Sequence, residues 1–169
     1  MIRPILSIVL LLFVLGSADA RAQDKAVKAD AEQAAREQAF EKQLSGAALV
    51  GHFSVDGQPA DKSPDPERYE ISKVAKAKDG YWIFNARIKY GKTDLTVPLL
   101  LKVLWAGDTP MISLTDFKIP GMDVYSARVI FHGDRYAGTW QHGKVGGHLW
   151  GKIEAKGAVE KKPAADSAK

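Results

Sequence analysis

Tyr81-Trp82-Ile83-Phe84-Asn85-Ala86-Arg87-Ile88-Lys89-Tyr90-Gly91-Lys92-Thr93-Asp94-Leu95-Thr96-Val97-Pro98-Leu99 decides how this chain folds. Successive residues of a strand point to opposite faces. Trp82, Phe84, Ala86, Ile88 and Tyr90 therefore share one face, and Tyr81, Ile83, Asn85, Arg87 and Lys89 share the other. A two-residue turn at Gly91-Lys92 pairs Tyr90 with Thr93. Leu95, Val97, Leu99, Leu101, Val103 and Trp105 then fall on the face of Trp82. A slip of one residue would send that whole set to the opposite face, so the agreement specifies the hairpin. A turn this short joins antiparallel strands, because a parallel pair needs a long crossover.

The same test extends in both directions. Short glycine-bearing turns recur at Asp79-Gly80, Gly107-Asp108, Gly133-Asp134 and Gly143-Lys144. Tyr125, Ala127, Val129 and Phe131 share a face, and the turn at Gly133 brings Tyr136, Gly138 and Trp140 onto it. The turn at Gly143 adds Gly147, Leu149, Gly151 and Ile153. Trp140 then stands opposite Gly147 and Leu149 opposite Gly138, the large-beside-small pairing that a curved interior requires. Upstream, Leu49, Gly51, Phe53 and Val55 alternate cleanly. Tyr69 and Ile71 share a face that Val74 breaks, which implies a bulge near Ser72 or Lys73. Met111 to Phe117 is ambiguous, since Asp116 has the parity of Ile112 and Leu114. The expected fold is all-β: an antiparallel up-and-down meander of about eight strands over residues 47–155, closed into a barrel that leaves no exposed edge. An open, strongly curved sheet covered by the preceding helix is the competing architecture.

The flanks differ in kind. Arg3, the apolar run Ile5–Leu15, and the small-residue sites Ala18-Asp19-Ala20 and Ala20-Arg21-Ala22 make residues 1–22 an expected export signal. That run is short of the roughly 20 residues of a membrane span. The expectation is a periplasmic or secreted protein with no stable span after cleavage. Residues 23–46 are rich in helix formers, with a thin apolar face of Val27, Ala31, Ala34, Ala35, Phe40 and Leu44, and Glu32 stands four before Arg36. They read as a solvated helical spacer. Asp56 to Pro66 is a polar loop, and residues 156–169 read as a disordered tail. The chain has no cysteine, so disulfides, thiol catalysis and cysteine metal sites are excluded. Its net charge of +4 is spread along 169 residues, which is no nucleic-acid footprint.

Leu49-x-Gly51-x-Phe53 resembles the opening strand of calycins, the lipocalin and avidin-like barrels, although lipocalins usually have tryptophan where Phe53 stands. The resemblance implies an eight-stranded barrel with a ligand cavity at one end and the long loop after the first strand at its mouth. None of the biotin-contacting residues of the avidin family can be matched. Tyr136-x-Gly138-x-Trp140-x-x-Gly143-Lys144-x-x-Gly147 is similar to one MORN repeat, which forms a β-hairpin; no second copy occurs. The whole chain also resembles small exported bacterial proteins of unknown function.

No Gly-x-Ser-x-Gly elbow, phosphate loop or His-Glu-x-x-His motif is present, and Asp116, Asp123 and Asp134 form no evident acid–base pair. His52, His132 and His148 point away from the apolar face, and His142 sits at a turn end. Neither catalysis, a metal nor a cofactor is expected. The inward face carries Tyr69, Tyr90, Tyr125 and Tyr136 beside Trp82, Phe84, Trp105, Phe131 and Trp140. Buried tyrosine hydroxyls need partners, and an apolar cavity with a few polar groups is the usual make-up of a small-molecule site. These nine residues are the expected site for a small apolar or amphipathic ligand. The alternatives are a fully filled core, and an envelope interaction protein that uses the outward Tyr81, Ile83, Leu100, Leu104 and Trp150.

Overall fold

The computed structural model describes residues 16–59, 61–90 and 92–155, with side chains from residue 21 onward except that of Tyr90. Residues 1–15 of the expected signal, Gly91 of the decisive turn and the 156–169 tail lie outside the described residues. The chain forms two units, residues 1–37 and 38–169. One helix, α1 (Gly16–Leu44), precedes eight strands: β1 (Ala47–Phe53), β2 (Asp65–Lys76), β3 (Tyr81–Tyr90), β4 (Thr93–Ala106), β5 (Thr109–Lys118), β6 (Val124–His132), β7 (Arg135–His142) and β8 (Val145–Ala155). Each strand pairs with the next in an antiparallel ladder, and β1 pairs with β8 to close the barrel. The fold is therefore the closed meander, and the open sheet is set aside.

The parity rule holds in detail. Tyr90 pairs with Thr93 and Ala86 with Val97, Phe131 with Tyr136, and Trp140 with Gly147 and Gly138 with Leu149. The irregularity in β2 falls between Ile71 and Lys73, and it returns Val74 to the interior, fully buried. A second irregularity between Leu114 and Phe117 resolves the ambiguous fifth strand. Asp116 takes a positive φ of 47° there and is turned out to solvent, so its parity with Ile112 no longer counts.

The ladders are unequal. β3 and β4 pair along their whole length, from Tyr81↔Lys102 to Tyr90↔Thr93. β4 and β5 pair from Lys102↔Ser113 to Ala106↔Thr109, so the segment Thr93–Leu101 is laddered on its β3 side alone among the described residues. Pro98 lies in that segment and is exposed, as suits a residue without an N–H on a strand edge.

Within the first unit, residues 21–37 are mostly exposed helix. Lys28 Nζ lies 3.9 Å from Glu32 Oε1, and Arg36 Nε donates to Gln33 Oε1 at 3.2 Å. The last two turns of α1 belong to the second unit and correct the expectation of a solvated spacer. Phe40 and Leu44 are 3% and 0% exposed. The Phe40 ring meets Trp82, Trp105 and Phe131 edge-on with centroids 5.6, 5.8 and 5.6 Å away. Gln43 Nε2 donates to the Gly133 carbonyl, and Ser45 Oγ accepts from the Val74 amide at 3.0 Å. The helix end is thus a stopper in the barrel mouth bounded by the β2–β3, β4–β5 and β6–β7 turns. An eight-stranded barrel leaves an interior that side chains must fill, and at this end a residue from outside the sheet supplies the filling.

Candidate functional site

The opposite end is built differently. One row of paired positions crosses four strands: Tyr136 on β7, Gly151 on β8, Gly51 on β1 and Glu67 on β2. The two glycines leave the middle of the row empty, and the Tyr136 side chain lies across it. A Cβ on Gly51 would come 2.6 Å from the Tyr136 hydroxyl oxygen, and one on Gly151 would come 2.7 Å from it. Reaching over both, Tyr136 Oη donates to Glu67 Oε1 at 2.9 Å. Tyr69, two residues along β2 and on the same face, donates to Glu67 Oε2 at 2.8 Å.

Glu67 is 4% exposed. Burial holds its carboxyl above the ordinary value of 4.5, an effect that the two tyrosine hydrogen bonds partly offset. Burial, and then the neighbouring carboxylate, push the Tyr136 phenol far up, so it stays a hydroxyl donor.

Two adjoining cavities lie beside this carboxylate, and the outer one opens onto it. The deeper one, about 190 Å³, has apolar walls that include Leu49, Ile71, Phe84, Leu99, Ile112 and Phe131. The outer one, about 370 Å³, is lined by Phe53, Glu67, Tyr69, Tyr125, Trp140, His142 and Leu149. Tyr69, Tyr125, Trp140 and Leu149 line both, so the apolar depth and the polar lip share walls.

The lip is held in place by specific bonds. Trp140 Nε1 donates to the Ser54 carbonyl at 3.1 Å, and Ser54 N and Asp56 N donate to the carbonyls of His148 and Gly146 at 2.9 and 2.8 Å. The long loop therefore starts against β8, where a side chain at Gly147 would collide with the Ser54 carbonyl. Tyr125 stacks on His142 at 4.7 Å. His142 Nε2 is 3.0 Å from Asp123 Oδ2, and that contact is the main cause that lowers the Asp123 carboxyl.

Of the nine residues expected from sequence, the structure brings Tyr69, Phe84, Tyr125, Phe131, Tyr136 and Trp140 to the cavity walls. Trp82 and Trp105 stand at the other end, against Phe40. The side chain of Tyr90 lies outside the described residues. His52, His132 and His148 are exposed, whereas His142 is half-buried at the lip. Among the described residues, no group of three or more His, Asp or Glu is placed to hold a metal ion. Alternation alone could have pointed to Glu67, which has the parity of Tyr69 and Ile71 but is absent from the expected site residues.

No protein-family model, curated protein or solved structure matches this chain. What it does has to follow from the barrel itself.

Proposed function

We propose that the protein is an exported binding protein that takes a small apolar or amphipathic molecule into the unstoppered end of its barrel, and that it is not an enzyme. One observation carries this reading: an apolar cavity at the barrel centre continues into a lip of tyrosines, Trp140 and a buried carboxylate. Desolvation of the ligand's apolar part in the depth would supply the affinity, and the few polar groups at the lip would set its orientation. The calycin-like opening strand and the eight-stranded closure are consistent with that role. Export is supported by the Ile5–Leu15 run and its small-residue sites.

The test is Nile red fluorescence together with native mass spectrometry of the protein purified from an exporting host. The expected result is saturable dye binding, or a co-purified mass of a few hundred daltons that is lost on denaturation. Ala86→Leu, which fills the deep cavity from a buried position, should weaken either signal. A bare mass with no dye binding would sink the reading.

A second reading, an interaction module for an envelope protein, has its own support. Ile83 pairs with Leu100, and Leu104 pairs with Met111, which pairs with Ile130. Ile83, Leu100, Leu104 and Ile130 are exposed, as are Tyr81 and Trp150. A partner captured from envelope extracts and lost on Leu100→Lys would favour that role.

A further inference from the structure

We propose that the ligand carries a protonated amine on an apolar body, and that Glu67 is the residue that selects it. The inference rests on the ligand-binding reading and adds the chemical class of the ligand.

Glu67 is the buried charged side chain among the described residues, and it faces the outer cavity. Its surroundings are arranged for an anion. One hydroxyl donates to each carboxylate oxygen, from Tyr69 and Tyr136, and a carboxylate has about four acceptor directions, so among the described residues each oxygen keeps one free. Among the described residues, no lysine or arginine is paired with it. Among the described residues, the other titratable groups facing the cavity are Tyr125 on β6 and His142 on β7, with Asp123 held by His142. From β1 and β8 the row presents only Gly51 and Gly151.

A purely structural role accounts poorly for this arrangement. Apolar residues of similar volume usually stabilise an interior as well as a buried charge does. Here two glycines and a tyrosine are committed to holding one carboxylate on the wall of the outer cavity, which shares Tyr69, Tyr125, Trp140 and Leu149 with the apolar one. A carboxylate or phosphate headgroup would be repelled there, and an alcohol would gain a hydrogen bond without a charge. A protonated amine would gain a charge-assisted hydrogen bond there, in a cavity whose walls include the aromatic side chains of Tyr69, Tyr125 and Trp140.

The experiment is calorimetric titration of the whole chain with octylamine, octanol and octanoate below their micellar concentrations. Octylamine should bind at least about tenfold tighter than octanol, with octanoate weakest. Glu67→Gln should abolish that preference, as expected of a change that removes the charge and keeps the shape. Should that variant fail to fold, the wild-type protein gives the same answer. Octylamine affinity should rise with pH as Glu67 ionises, because the amine binds the carboxylate in place of its proton, while octanol affinity stays flat.

Equal affinity for amine and alcohol, or a preference that survives Glu67→Gln, overturns the proposal. So does Nile red binding with no octylamine binding, in which case the binding role stands and the amine does not. Failure of Nile red as well removes both.

Discussion

At the scale of single residues, Glu67 couples the interior to pH. Its carboxyl is raised by burial, so the folded protein retains a proton that the unfolded chain has already released. The stability linked to that proton is complete below the ordinary glutamate value of 4.5 and is lost as pH rises through the folded value. Urea melts of the ligand-free protein from pH 4 to pH 8 should show this decline, and Glu67→Gln should remove the Glu67 part of it. Tyr136→Phe leaves Oε1 without its donor and should cost about 1–3 kcal/mol. Gly51→Ala should destabilise as well, since its methyl would meet the Tyr136 hydroxyl and the Trp150 carbonyl; thermal melts check both. Alternation along the strand, Glu67-x-Tyr69-x-Ile71, already contained the inward direction of Glu67. What alternation could not contain was the partner, because Tyr136 lies 69 residues away and the β1–β8 ladder that brings it across is not a hairpin.

At the scale of elements, the two ends of α1 have different duties. Phe40 fills the barrel base among Trp82, Phe84, Trp105 and Phe131, so Phe40→Ala should cost about 3–5 kcal/mol in a denaturant melt. Sequence could not reveal this stopper. An alanine-rich helix with one phenylalanine and one leucine near its end looks solvated, and only the hole that the barrel leaves shows why those two are there. The strands were far more legible, because parity propagates through two-residue turns and a broken alternation marks a bulge. The upper part of β4 gives a further expectation. Pro98 has no N–H, so the side of the strand it faces is the one without a β5 ladder. The amides of Asp94, Thr96 and Leu100 should then exchange with deuterium faster than those of Leu95, Val97 and Leu99, as measured by NMR.

At the scale of the whole molecule, the barrel is a tube with one end stoppered by α1 and the other lined by aromatic rings around a carboxylate. The closed meander was readable because most of its hairpins turn within a few residues and alternation marks the faces of most strands. The cavity was not, because the same aromatic residues serve as filling or as lining according to the end they occupy, and no pattern along the chain says which end that is. Trp82 and Trp105 illustrate this, since they share the parity of Phe84, which lines the deeper cavity, yet are not among its walls.

The row Tyr136-Gly151-Gly51-Glu67 also has a meaning in time. Seven of the eight ladders join neighbours in sequence, but Gly51 meets Gly151 only when the first strand finds the last. Contacts between distant parts of a chain carry the largest loop-closure cost and form slowly. Until that meeting, Glu67 has no Tyr136 and remains in water. The event that completes the barrel is therefore the event that makes the carboxylate a recognition group, and a chain still being synthesised, or cut short before Gly151, has no half-built version of the site with which to hold anything.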